Sequence, residues 1–145
     1  MAWLWLALLG SLTVLACSNA VAEDWDHDAN IGLAVEAFLA VHRAGGLEAA
    51  ASAVGNCYRS VDAIDAGDLQ LQRFEYCASL DFAGYLTDRR AREGSAAAPI
   101  PYFSVEQIRD RLQRLGDWVR DPIAQQQILK AWAATTAAAL DAQAR

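Results

Sequence analysis

Residues 57–77 read Cys57-Tyr58-Arg59-Ser60-Val61-Asp62-Ala63-Ile64-Asp65-Ala66-Gly67-Asp68-Leu69-Gln70-Leu71-Gln72-Arg73-Phe74-Glu75-Tyr76-Cys77. Apolar residues recur at helical spacing on both sides of Asp65-Ala66-Gly67-Asp68. Those four residues read as a tight turn, in which Gly67 permits a positive φ and Asp68 caps the helix after it. The two cysteines stand ten residues either side of Gly67. In an antiparallel helix pair, residues equidistant from the turn lie side by side. The stretch therefore predicts a helical hairpin stapled by a Cys57–Cys77 disulfide. Closing a loop of this length contributes about 3 kcal/mol, mostly by restricting the unfolded chain.

The same periodicity extends outward. On the N-terminal side the hairpin helix is expected from about residue 47, with Leu47, Ala50, Val54, Cys57, Tyr58 and Val61 on its apolar face. A first helix over 30–44 precedes it, capped by Asp28 or Asn30 and stopped by Gly45-Gly46. Ile31, Val35, Phe38 and His42 share one side of that helix. On the C-terminal side the third helix spans about 69–92. Gln72, Glu75, Ser79 and Arg90 form its expected solvent stripe, and Cys77, Asp81, Gly84 and Asp88 centre the opposite face.

Residues 94–101 are rich in small residues and proline and read as a loop, whose end, Pro101-Tyr102-Phe103, folds its aromatics onto the bundle. Ser104-Val105-Glu106-Gln107 matches a capping box and starts a fourth helix striped by Val105, Ile108, Leu112, Leu115 and Val119. Asp121-Pro122 ends it and opens a fifth helix running to about 142, with Asp as cap and Pro at the first helical position. No alternating strand run stands out. The expected fold is all-α: one small domain, a bundle of about five helices around a stapled antiparallel hairpin.

Residues 1–22 carry no charged side chain. An apolar run over 3–16 is followed by Ala20-Val21-Ala22, the small-x-small pattern that signal peptidase requires, so 1–22 reads as a cleaved signal peptide. No Lys or Arg precedes the run. Either the terminal amine serves alone, or the start lies upstream of Met1. Two alternatives compete. Val14-Leu15-Ala16-Cys17 is a tolerable lipobox, which would make Cys17 the lipid-anchored first residue of an envelope lipoprotein. An uncleaved anchor is weakened by Ser11, Thr13, Ser18 and Asn19. All three readings export residues 23–145 to the periplasm or beyond. Removal or lipidation of Cys17 leaves Cys57 and Cys77 as an even pair, in agreement with a disulfide in an oxidising compartment. Residues 23–29, Glu23-Asp24-Trp25-Asp26-His27-Asp28-Ala29, read as a solvated, flexible approach to the helical domain at 30–145.

With 145 residues, 54% hydrophobic and 21% charged, the chain is neither a disordered tail nor a low-complexity linker. A net charge of −6 with no basic stripe argues against nucleic acid and anionic lipid surfaces. His27 and His42 are the only histidines. No Ser-His-Asp arrangement, CxxC motif, zinc-type Cys/His spacing or phosphate-binding glycine loop is legible, and no cofactor or metal is expected.

The residues out of place are polar groups on apolar faces. Asp81 shares its face with Cys77 and must point inward, so it has to be paired or protonated. His42 is the expected partner, with Arg43, Arg59, Tyr102 and Trp118 as other candidates. His42, Asp81, Tyr85 and Asp88 make a candidate buried polar cluster. The leading functional expectation is a non-enzymatic envelope protein that binds a protein partner. The alternative is a small-ligand or metal-binding pocket, or an enzyme, centred on His42, Asp81 and Tyr85. The alanine-rich helix over 122–142 offers a possible homodimer seam.

Overall fold

In the computed structural model, which describes residues 25–96 and 98–145, the hairpin is formed by helices α1 (His27–Val61) and α2 (Gly67–Arg92). Cys57 and Cys77 are disulfide-bonded across it, with their Cα atoms 5.5 Å apart. Two further helices come after it, α3 (Val105–Leu112) and α4 (Pro122–Gln143), and the described residues contain no strand. The expected signal segment 1–22 and Cys17 lie outside the described residues.

Four helices stand where about five were expected, because the segments on either side of Gly45-Gly46 run on as one kinked α1, although both glycines leave helical geometry where the stop was expected. Gly46 takes φ 68° and ψ −164°, a conformation that disfavours any side chain, and the two helical segments meet end to end across this kink. The hairpin turn also differs from expectation. Gly67 is already the first residue of α2, behind an extended Ala66 that offers no side-chain cap. It does not adopt a positive φ. The caps expected further along the chain are present. Ser104 Oγ accepts from Gln107 N at 3.3 Å, and Asp121 Oδ1 accepts from Ile123 N at 2.9 Å. Beyond Leu112 the expected fourth helix tightens into 3-10 turns over Gln113–Asp117, which still deliver Leu115 to the core.

Helix α2 is the centre of the bundle, packed on α1, on α4 and on the 3-10 turn Pro101–Phe103. Its Phe74 is fully buried against the rings of Tyr58, Trp118 and Trp132, at centroid distances of 5.8, 5.1 and 6.3 Å. A helix enclosed in this way has little solvent stripe. Glu75 and Ser79, expected to be wet, are fully buried. Ser79 Oγ donates to the Glu75 carbonyl at 2.9 Å.

The Glu75 carboxylate is satisfied by the start of α1. Trp25 Nε1 and Asn30 Nδ2 donate to Oε1 at 2.9 and 2.7 Å, and His27 Nδ1 meets Oε2. Helix α1 therefore begins at His27, earlier than the sequence suggests. Its cap is Asp26, which accepts from Ala29 N at 3.0 Å, and not Asp28 or Asn30. Trp25 and His27, expected in a flexible approach, are held by Glu75.

Gly84 explains how the loop after α2 returns. The fully buried Phe103 ring occupies the space that a Cβ at Gly84 would need. A side chain there would push the Pro101–Phe103 turn, and α3 behind it, off the bundle.

Candidate functional site

Asp81 is buried and paired, but not with His42. Arg111 on α3 grips it with two hydrogen bonds, Nε to Oδ2 at 2.7 Å and Nη2 to Oδ1 at 2.8 Å. Tyr58 on α1 donates its hydroxyl to Oδ2 at 3.2 Å. Arg111 also donates to the Tyr102 carbonyl at 2.7 Å and lies over the Tyr102 ring, 4.0 Å from its centroid.

Burial pushes the Asp81 carboxyl above its ordinary value, against the opposing pull of Arg111 and the Tyr58 hydroxyl. Burial and the neighbouring Asp81 push the Tyr58 phenol well up. Burial opposes the Arg111 charge, but the hydrogen bonds and charge of Asp81 more than offset this, and its guanidinium moves up. Burial likewise raises Tyr102. The cluster has its hydrogen bonds filled from within. Its geometry fastens α3 to α2 and α1, a structural role.

The remaining candidates are dispersed. His42 is half-buried and stacks on Phe38, ring centroids 5.5 Å apart. Asp88 is buried and bound twice, to Arg92 Nε at 3.0 Å and Ile100 N at 3.3 Å, so it ties the returning loop to the end of α2. Tyr85 is half-buried, with Arg89 above its ring. No hydrogen bond joins any two of His42, Asp81, Tyr85 and Asp88 among the described residues. Cys57 and Cys77 serve the staple. No group of three or more His, Cys, Asp or Glu side chains that could hold a metal ion occurs among the described residues. No described helix is long and apolar enough to cross a membrane.

An open cleft lies beside the Asp81 cluster. Once Arg111 holds α3 at its inner edge, the outer side of α3 stands off from α4 and leaves a cleft of about 540 Å³ between α2, α3 and α4. Phe82 and Leu86 from α2, Ile108 and Leu112 from α3, and Leu129 and Ala133 from α4 form its walls. Tyr85, Arg89, Arg109, Gln113 and Gln125 supply its polar groups. Asp81 is not among the lining residues. The volume falls in the range of about 300–1,000 Å³ usual for small-ligand sites, which are likewise mostly apolar with few polar groups.

Sequence reasoning missed Arg111, although a signal existed. Ile108, Arg111, Leu112 and Leu115 fall at i, i+3, i+4, i+7, so Arg111 sits on the apolar face. It missed the cleft because no single helix contains it. Comparison with known proteins finds no family model, no curated protein and no solved structure that matches this chain.

Proposed function

We propose that this chain is an exported helical protein of the cell envelope that works by binding, and that it takes an apolar group of its ligand into the α2–α3–α4 cleft. The observation that carries this reading is the cleft: about 540 Å³, walled by three helices, lined by aliphatic and aromatic side chains. The disulfide and the signal-like residues 1–22 support export to an oxidising compartment. The Asp81–Arg111–Tyr58 cluster serves binding indirectly, by fixing where the α3 wall stands. Of the alternative site at His42, Asp81 and Tyr85, only Tyr85 reaches the cleft.

The test is uptake of a neutral apolar probe. N-phenyl-1-naphthylamine should brighten on adding the purified protein, and Ala133→Trp, which fills the cleft from α4, should abolish the signal while leaving the helical circular dichroism intact. Undiminished uptake by Ala133→Trp would move the binding surface elsewhere. Absence of uptake by the unaltered protein would remove the reading.

A further inference from the structure

We infer that the cleft takes a single-chain amphiphile with an anionic head, a long-chain carboxylate. The inference rests on the binding reading above and adds the ligand's chemical class.

The chain carries 18 acidic residues and a net charge of −6. None of those carboxylates lines the cleft or its continuation past Leu112 and Leu129 toward Pro122, and the hollow that adjoins it at Tyr85, Arg89 and Val105 adds one, Glu106, together with Arg92. The charged groups of the cleft and its continuation are Arg89, Arg109 and Lys130, all exposed at the rim. Arg90, Arg92, Arg111 and Arg114 have carboxylate partners, whereas several surface arginines away from the cleft have none, so what sets the cleft apart is that its lining holds cations and no carboxylate. Among the described residues no carboxylate stands within ion-pair distance of Arg89, Arg109 or Lys130. An acidic protein thus lines this apolar cleft with cations alone. That is the complement of a hydrocarbon body ending in an anion.

The walls argue for a hydrocarbon over an extended peptide. A peptide would bring backbone amide and carbonyl groups that need partners, and the lining offers few: the Gln113 amide, and a Gln125 amide whose Nε2 already donates to the Val119 carbonyl at 2.6 Å. An alkyl chain needs none. Arg89 and Arg109 are exposed at the rim, where a head group would meet water. Among the described residues the Arg109 guanidinium has no hydrogen-bond or ion-pair partner, and that of Arg89 only lies over Tyr85, so both are available to a ligand.

The experiment displaces N-phenyl-1-naphthylamine from the protein with dodecanoate, dodecyltrimethylammonium or dodecanol, each below its micellar concentration. Dodecanoate should compete about tenfold more tightly than the cationic amphiphile, and added salt should narrow the gap. Arg89→Gln and Arg109→Gln should each weaken dodecanoate about fivefold more than they weaken dodecanol, measured in the same variant. Equal competition by all three, or preference for the cation, would overturn the ligand class and leave the cleft reading standing. Failure of the neutral probe to bind would overturn both. Stronger competition by an acidic amphipathic peptide than by dodecanoate would assign the cleft to a protein segment and end this proposal.

Discussion

Replacing Arg111 with Met removes the guanidinium while keeping an aliphatic stem, and isolates the charge on which α3 depends. In the native fold Asp81 is fully buried and Arg111 is 16% exposed, joined by bonds of 2.7 and 2.8 Å. Arg111→Met leaves a buried carboxylate with only Tyr58 to solvate it, and strips the Tyr102 carbonyl of its donor. Breaking a buried pair from one side costs about 3–5 kcal/mol, a large share of a small domain's stability. Because Asp81 is already raised by burial, loss of its cation raises it further. A carboxyl raised in the folded state gives its stability below the unfolded pKa and loses it as pH rises through the folded pKa. The deficit of Arg111→Met relative to the native protein should therefore be largest at neutral pH and shrink on acidification toward the ordinary carboxylate range. Denaturant unfolding across that pH range measures it. Adding Asp81→Asn to Arg111→Met should recover much of the loss at neutral pH. A deficit under about 1 kcal/mol, the scale of an exposed pair, or a double variant no more stable than the single, would refute the reasoning.

Four further outcomes are expected. Cys57→Ala should lower stability by about 2–4 kcal/mol, and non-reducing peptide mapping should join the Cys57 and Cys77 peptides. Gly84→Ala should cost about 1–3 kcal/mol through overlap with Phe103, and Phe103→Leu should relieve part of it, as thermal unfolding of the single and double variants would show. Glu75→Leu should free the donors of Trp25 and Asn30 and expose the Trp25 indole, read as a red-shifted tryptophan emission, with Glu75→Gln close to native. N-terminal sequencing of exported protein should begin at Glu23; a lipid-modified Cys17 would replace that expectation.

The hairpin was legible because two cysteines equidistant from a turn carry long-range information that periodicity lacks. Ser104 and Asp121 were legible because capping is local chemistry within three residues. Helix α2 misled at Glu75 because a polar side chain on a helix reads as solvent-facing unless something covers it, and the cover comes from Trp25 and His27, some fifty residues away. The inward placement of Asp81 could be inferred from its shared face with Cys77. Its partner could not, since Arg111 lies thirty residues on, on a helix whose angle to α2 the sequence does not encode locally. The cleft depends on the spacing of three helices and has no sequence signature at all.

Amide and methyl NMR shifts during titration with N-phenyl-1-naphthylamine test most directly whether the α2–α3–α4 cleft is the binding surface. Perturbations should centre on Phe82, Leu86, Ile108, Leu112 and Leu129, with Ile31, Val35 and Phe38 on α1 unmoved. Shifts centred on α1, or spread evenly without saturation, would contradict binding in the cleft.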